Sequence, residues 1–326
     1  MHRRYCLQLG LAAVGLGLWP GGNAMAATPP SIRLLVGFPA GGGSDAVARA
    51  LAEPLSEVLG VPVVVDNRPG AGGQLAAQAL KAARPDGATL FLSHDHTISI
   101  LPQVLKDPGY QPERDFMPVA GLATFVNCIA VSASMPARNW PDALALLRQK
   151  SPQYSAVVGV PAPASTPDFL VQALARHYQL DMRSAPYRGG APLVADMLGG
   201  HVQMGVASVQ DFIEHHRAGK LRIVAVLGQQ RQAVLPEVPT FAELGFAGFA
   251  EQPYYGIYAP VGTPVPWVEQ VSAAVAKVLA RSDLRQRLIA MGLNVQHMPP
   301  ALLDARQHAY TRAWAHTIAV RGYRPD

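Results

Sequence analysis

Phe38-Pro39-Ala40-Gly41-Gly42-Gly43-Ser44-Asp45 joins a buried apolar run to a helical pattern, and the fold class follows from this junction. Residues 32–38 are typical of a buried strand, and apolar side chains then recur at helical spacing from Ala46 until Gly60. Glycines at such a junction let backbone N–H groups approach a ligand, and the helix N-terminus adds about half a unit of positive charge. The stretch therefore predicts an anion site. Ser44 either caps the helix or contacts a bound oxygen, and both roles stay open.

The same alternation of apolar runs and helical patterns continues along the chain. Strands are predicted over residues 61–65 and 89–92, with a glycine-rich turn over residues 69–73 and a short helix between them. A comparable alternation recurs over residues 154–227. Because strand-helix alternation is typical of parallel sheets covered by helices, the two stretches predict an α/β protein of two lobes.

The N-terminus has the features of a secretory signal peptide. Basic residues 2–4 precede an apolar run over residues 6–19, and the small-x-small motif Ala24-Met25-Ala26 follows. An apolar run of about 14 residues is shorter than the roughly 20 that a membrane-spanning helix needs. We therefore predict a protein that is exported, cleaved near Ala26 and not inserted in the membrane. The sequence leaves the choice between the general and the twin-arginine export route open.

Charge and cysteine content narrow the class of protein further. The formal net charge is +5, and it falls to +3 once the two arginines of the leader are removed. Lysines and arginines are scattered without a basic run, so nucleic acid is not indicated as a partner. Removal of the leader leaves Cys128 as the only thiol, which excludes an internal disulfide and predicts a packed core residue.

Two enzyme classes compete for the glycine-rich stretch. Gly41 to Ala46 satisfies the loose G-x-G-x-x-A dinucleotide pattern, and Asp66 follows the second strand where a ribose-binding acid is expected. An exported protein meets little NAD, however. A hydrolase elbow needs G-x-S-x-G, and the stretch around Ser44 ends in alanine instead. We predict a binding protein without a cofactor, and keep a nucleotide-dependent or hydrolytic enzyme as the alternative.

Histidines offer a metal site only weakly. His94 and His96 would share one face of a strand, whereas His215 and His216 are adjacent, and no second cluster has the spacing of metal ligands. We therefore predict no metal. The segment from His94 to Thr97 nevertheless follows the carboxyl end of the third predicted strand, which is where open α/β sheets bind ligands. His96 and Thr97 are predicted to line a cleft.

Seven short motifs together carry a resemblance that covers nearly the whole mature chain. Each is weak alone, but all occur in one family's order. The chain resembles the Bug/TctC family of tripartite tricarboxylate transporter receptors through residues 33–45 (RLLVGFPAGGGSD), 66–73 (DNRPGAGG), 84–87 (RPDG), 186–192 (PYRGGAP), 218–222 (AGKLR), 235–240 (LPEVPT) and 259–264 (APVGTP).

The resemblance implies a periplasmic binding protein-like fold of type II, in which two α/β lobes enclose a ligand cleft. Lobe 1 is expected over residues 27–127 plus 250–326, and lobe 2 over residues 128–249. The implied function is capture of a small carboxylate by closure of the lobes and its delivery to a tripartite membrane transporter. The receptor is expected to be a monomer that contacts the membrane subunits transiently, and not an enzyme.

The resemblance also implies which residues contact the ligand. The second carboxylate-binding loop departs from the family's pattern, because Pro161, Pro163 and Pro167 replace residues that donate N–H groups. An aspartate expected near the cleft aligns with Ala207, and the usual tryptophan with Tyr254 or Tyr255. The expected ligand-binding residues are Ala40, Gly41, Gly42, Gly43, Ser44, Asp45, His96, Thr97, Ser165, Thr166, Ala207, Ser208 and Tyr255.

Overall fold

A computed structural model describes residues 28–149, 154 and 156–321 of the 326-residue chain. The predicted leader lies outside these residues. The strands of the described part are β1 (Ile32–Val36), β2 (Val63–Asn67), β3 (Thr89–His94), β4 (Phe116–Thr124), β5 (Asn127–Ser132), β6 (Val157–Val160), β7 (Arg183–Pro186), β8 (Met204–Ser208), β9 (Leu221–Val226), β10 (Tyr254–Pro260) and β11 (Asn294–Met298).

Helices separate most of these strands, as the alternating pattern predicts. They are α1 (Gly43–Leu59), α2 (Gln74–Lys81), α3 (Leu101–Val104), α4 (Pro112–Asp115), α5 (Trp140–Arg148), α6 (Thr166–Tyr178), α7 (Gly190–Leu198), α8 (Val209–Arg217), α9 (Val265–Leu279), α10 (Ser282–Ala290) and α11 (Pro300–Arg321). A 3₁₀ turn at Ala71–Gly73 precedes α2, and a π-helical turn at His96–Ile100 precedes α3.

Six strands form the first sheet in the order β11-β4-β10-β3-β1-β2. β1 is parallel to β2 and β3, whereas β10 runs antiparallel between β3 and β4. Alternate residues of β1 face opposite sides of the sheet. Leu34 packs with α1 and α9 on one side, and Leu35 packs with α2 and α11 on the other. Helices thus cover both faces, as a buried parallel core requires.

Five strands form the second sheet in the order β7-β6-β8-β5-β9. Ile129 of β5 packs with α5 and α6, and Cys128 packs with α7 and α8 on the opposite face. Cys128 is a free and fully buried thiol, and burial raises its pKa well above the ordinary value. The predicted core role of this cysteine is confirmed, as is the α/β class with two sheets.

The chain passes between the sheets twice. Phe125 and Val126 connect β4 to β5, and a longer segment connects β9 to β10. β5 already pairs in the second sheet at Asn127. This pairing favours a first crossing one or two residues before the predicted limit at residue 127, and the lobe limits themselves stay a prediction.

Helix α11 packs on the first sheet and also touches the second lobe. It lies against β4 and β11, as expected of a C-terminal helix that folds back on lobe 1. Its Trp314 ring also lies 5.3 Å from the ring of Phe169 on α6. The C-terminal helix therefore connects the two lobes as well as covering one of them.

The glycine-rich turn predicts a measurable difference between two glycines. Gly73 has a φ of +94°, and a Cβ there would overlap the side chain of Thr97. We expect Gly73→Ala to lower the free energy of unfolding by about 3 kcal/mol, since backbone strain and overpacking each contribute about 1–2 kcal/mol. Gly60, with a φ of +71°, faces open space. Gly60→Ala should cost only about 1 kcal/mol. Urea unfolding compares the two, and equal losses would contradict the overlap.

Candidate functional site

A cavity of about 60 Å³ lies between the two sheets, with walls from both lobes. This volume holds roughly four to six water molecules at 10–15 Å³ each, so it suits a small solute. Eight predicted ligand-binding residues line it: Gly42, Gly43, Ser44, His96, Ser165, Thr166, Ser208 and Tyr255. The structure thus brings together residues from the glycine-rich stretch, the end of β3, the start of α6 and β10.

Four helices begin at this cavity. Gly43 is the first residue of α1, Thr166 of α6 and Gly190 of α7, and Ser208 is the N-cap of α8. The first N–H groups of a helix have no partner within it, and each N-terminus carries a partial positive charge. The cavity is therefore a strongly anion-attracting space, built by α1 from one lobe and α6, α7 and α8 from the other.

A carboxylate of the protein already occupies part of this space. The Gly43 N–H of α1 donates to Oδ1 of Asp211, a residue of the first turn of α8, at 2.9 Å. The Ser208 hydroxyl donates to Oδ2. A Cβ at Gly190 would overlap Oδ1, so the start of α7 lies directly against the carboxylate. Burial raises the pKa of Asp211, although hydrogen bonds from Ser208 and Gly43 act in the opposite direction.

Hydrogen bonds to Tyr255 add a second connection between the lobes. Its hydroxyl lies 3.2 Å from Ser44 Oγ and accepts from Gln210 Nε2 at 2.9 Å. Ser44 and Tyr255 belong to the first lobe, whereas Gln210 belongs to α8 of the second. The N-cap of α1 is Gly42, so of the two roles open for Ser44 the structure excludes the cap and directs the hydroxyl to Tyr255.

Aromatic rings cover one side of the cavity. Phe38 stacks on His94 with ring centroids 4.9 Å apart, and Phe125 lies 4.9 Å from Tyr255. The rings of His94 and Tyr255 meet edge to face at 5.7 Å. Four rings thus form a continuous, largely apolar wall.

His96 is a buried polar group in the same cavity. Burial lowers its pKa to about 3, so the ring is neutral at ordinary pH. Neither Nδ1 nor Nε2 has a hydrogen-bond partner. A neutral imidazole presents one donor and one acceptor, so this ring keeps an unmet hydrogen-bonding capacity beside the cavity.

The proline-rich second loop leaves few donors, as its sequence indicates. Ser165 caps α6: its hydroxyl accepts weakly from the Asp168 N–H at 3.4 Å and donates to the Ala162 carbonyl at 2.7 Å. Pro167 has no N–H to offer. The hydroxyl of Thr166 is buried, with the Tyr310 hydroxyl close to it and no partner in good hydrogen-bonding geometry. Thr166 also begins α6 at the cavity wall, so its backbone N–H is the donor that this loop retains there.

Five predicted residues lie outside the cavity wall: Ala40, Gly41, Asp45, Thr97 and Ala207. Ala40 and Gly41 are exposed on the outer side of the turn. Asp45 accepts from the Gly41 N–H at 2.9 Å and pairs with Arg49 at 2.9 Å. Burial raises the pKa of Asp45, but these bonds and one from Asn67 hold it below the ordinary value. The carboxylate of Asp45 is thus paired within the first lobe, outside the cavity wall.

Thr97 and Ala207 also have structural positions. The Thr97 hydroxyl donates to the Gly72 carbonyl at 2.8 Å and holds the π-helical turn against the glycine-rich turn. Ala207 is fully buried on the face of β8 that packs with Cys128. Side chains alternate along a strand, so Ser208 faces the cavity and Ala207 does not.

Ten residues of the wall were not among the predicted contacts: Phe38, His94, Asp95, Phe125, Asn127, Pro161, Ala162, Pro167, Gly190 and Asp211. Some had a usable signal, because Phe38 and His94 flank predicted contacts in sequence. Asp211 had none, since an acid in the first turn of a helix is ordinary.

Of the features that raised enzyme and metal alternatives, the glycine-rich stretch, His94 and His96 border the cavity, whereas the candidate ribose-binding acid does not. Asp66, the candidate ribose-binding acid, pairs with Arg68 at 3.1 Å and is not part of the cavity wall. Across the described ranges, no three His, Cys, Asp or Glu side chains come together as a metal site needs. Nor does any helix there combine the length and apolar character that crossing a membrane demands.

Comparison with known proteins decides the family. The family described as the tripartite tricarboxylate transporter family receptor matches residues 47–308, most of the chain. This protein belongs to that family. BugT of Bordetella pertussis is 31% identical to this receptor, and the match covers 86% of this chain and 88% of BugT. The resemblance inferred from the short motifs is confirmed.

Solved structures of similar receptors agree with this fold. Rpa4515 of R. palustris, solved with adipate, is 28% identical with a TM-score of 0.85, covering 91% of this chain and 98% of that one. MatC of Rhodopseudomonas palustris, solved with malate, is 28% identical with a TM-score of 0.79, covering 87% and 97%. The type II binding-protein fold and the solute-binding receptor class are thereby confirmed.

The raised pKa of Asp211 predicts a pH-dependent stability. Its pKa in the folded state lies above the unfolded value of about 4, so ionisation costs stability at neutral pH and this cost disappears as pH falls toward 4. Asp211→Asn keeps an acceptor for the Gly43 N–H and removes the charge. We expect its Tm to exceed that of the parent at pH 7, by roughly 2–4 °C for each kcal/mol relieved.

Thermal unfolding of both proteins between about pH 4 and pH 8 measures this difference. The gap in Tm should shrink as the pH falls. Glu214→Gln is the matched control, because Glu214 lies one turn further along α8, exposed and paired with Arg217. A gap between Asp211→Asn and the parent that stays constant over the pH range would contradict the prediction.

Proposed function

We propose that this protein is a periplasmic receptor that captures a small carboxylate by closure of its two lobes and delivers it to a tripartite membrane transporter. One observation carries the proposal: helices of both lobes begin at one cavity, and its wall includes His96, whose buried ring nitrogens have no hydrogen-bond partner. A buried polar group left unpaired costs about 1–3 kcal/mol, so a bound partner for this ring is favoured.

Helix N-termini support a carboxylate as that partner. In the first turn of α6, Pro167 has no N–H and Ser165 caps Asp168, so the Thr166 N–H is the donor that remains. The Thr166 hydroxyl and a donor nitrogen of His96 lie in the same wall. Charge-assisted hydrogen bonds from such donors are about twice as strong as neutral ones. The similar receptors solved with adipate and malate fit the same chemistry.

Closure of the lobes is favoured because the ligand would contact residues of both lobes. Gly43 binds Asp211 and Tyr255 binds Gln210, both across the cleft. A carboxylate held by His96 and Thr166 would add contacts to both lobes at once. Ligand binding therefore shifts the population toward the closed state in proportion to these added contacts. The closed form of the receptor is then the one that the membrane subunits bind. We propose that this receptor is a monomer and that it contacts the membrane subunits transiently.

A thermal-shift screen tests the receptor function. The mature protein, from Ala27 onward, is heated with increasing concentrations of mono-, di- and tricarboxylates, amino acids and aromatic acids. A ligand that binds only the folded state should stabilise it by about 2.7 kcal/mol at 100 times its Kd. Stabilisation by nucleotides, or turnover of an ester, without a response to any acid would reject the proposal in favour of an enzyme.

His96→Leu should separate stability from binding. The change removes two unpaired buried nitrogens at similar volume, so we expect the free energy of unfolding without ligand to rise by about 1 kcal/mol. Affinity for the carboxylate should fall about tenfold, because a donor to the ligand is lost. Urea unfolding and calorimetric titration measure the two effects.

His297→Leu provides the matched control. His297 is partly buried outside the cavity, and its Nε2 lies 3.3 Å from Ser272 Oγ. This variant should leave the affinity unchanged and lower stability slightly. A loss of affinity equal to that of His96→Leu would show that the effect of His96→Leu is not local.

Export carries its own test. We propose cleavage of the leader near Ala26, from the sequence features of residues 1–26. N-terminal sequencing of the protein recovered from the periplasmic fraction should begin at Ala27. Recovery of the uncut chain from the cytoplasmic fraction would reject export.

A further inference from the structure

The charges around the cavity are unusual for a site that attracts anions. Two carboxylates, Asp95 and Asp211, belong to its wall. No lysine or arginine of the described chain does. His96 is neutral, which leaves the helix N-termini as the source of positive potential in the wall. A solute with two carboxylates would therefore find helix dipoles for one of them and a negative side chain beside the other.

The two wall carboxylates differ in what they can still accept. Asp95 receives the Tyr310 hydroxyl at 2.8 Å and lies 3.4 Å from His94 Nδ1, and it is almost fully buried. Asp211 receives the Gly43 N–H and the Ser208 hydroxyl while part of its surface stays accessible in the cavity. A carboxylate has about four acceptor positions, so Asp211 retains capacity for a donor of the solute.

Aromatic rings lie in the same wall as Asp211. Phe38, Phe125 and Tyr255 line the cavity, and ring faces attract cations, most strongly where water is excluded. A cationic nitrogen placed between Asp211 and these rings would meet a carboxylate and π-systems together. A second carboxylate in the same place would meet like charge, which is unfavourable within about 4–6 Å.

We propose that Asp211 determines the specificity of the cleft, and that the solute is a small monocarboxylate carrying a cationic nitrogen and not a dicarboxylate. Its carboxylate would bind His96 and the start of α6, and its nitrogen would bind Asp211. Asp211 also accepts the Gly43 N–H, so this donor of α1 is not available to the solute. One carboxylate subsite therefore remains instead of two. The inference rests on the proposed receptor function and refines its ligand.

Three matched series of probes test the charge at the second end of the solute. Each pairs one carboxylate with a terminal ammonium, carboxylate or methyl group on straight chains of about two to six carbons, such as 5-aminopentanoate, glutarate and pentanoate. Calorimetric titration of the full mature protein gives the Kd of each. We expect the best ammonium probe to bind the parent at least about tenfold more tightly than the dicarboxylate of matched length.

Asp211→Asn should reverse this order. It removes the charge that attracts the ammonium and repels the second carboxylate, so affinity for the ammonium probe should fall about tenfold and that for the dicarboxylate should rise. Glu214→Gln, exposed on the next turn of α8, should keep the parent's ratio. If Asp211→Asn does not fold, the ratio measured on the parent alone decides the proposal.

The outcomes separate this inference from the function beneath it. Tightest binding of a dicarboxylate or methyl probe by the parent, or an unchanged ratio in folded Asp211→Asn, would overturn the role of Asp211 and leave a carboxylate receptor in place. Absence of binding by every member of the three series would reject the receptor function for small carboxylates, and the inference with it.

Discussion

Four helix N-termini that converge on one cavity impose the constraint on which this structure depends. Their free N–H groups and dipoles favour negative charge there, and water-excluding walls strengthen that preference. The carboxylate of Asp211 supplies part of this negative charge and accepts the N–H of Gly43. Because the donor and the acceptor belong to different lobes, the same electrostatic need that prepares the site also holds the lobes together.

The strand order of the first sheet places the other side chains of the site next to one another. β10 returns from the second lobe and inserts antiparallel between β3 and β4, which places Tyr255 opposite His94. From there the Tyr255 hydroxyl reaches Ser44 and Gln210. Tyr310 of α11 lies behind the site and donates to Asp95. Contacts of sheet, crossing strand and C-terminal helix thus meet at the cavity.

Local patterns predicted local elements, and they could not predict pairing between distant ones. α1, α6 and β1 follow from apolar spacing and from glycine or proline at their ends. β10 pairs with β4, and Tyr254 lies beside Thr124. No periodicity near either residue encodes that choice. The alternation predicted over residues 154–227 likewise does not fix where each strand ends. β8 ends at Ser208, which is also the N-cap residue of α8, and this position lets its hydroxyl donate to Asp211.

The residues of the site fall into the same two groups, those that local sequence predicts and those that depend on pairing between distant elements. Gly42, Gly43 and Ser44 could be predicted because a strand-glycine-helix junction makes an anion site by itself. Asp211 contributes to the site only because the fold brings it to the N–H of Gly43, 168 residues away. The sequence of α8 does not reveal that contact. The family resemblance implies an acid at residue 207, where this chain has a buried alanine. Asp211 supplies a carboxylate instead from the first turn of α8, where it accepts from a donor of the opposite lobe. We therefore attribute the charge preference proposed for the cleft to the position of this acid, since the helix N-termini around it all favour anions.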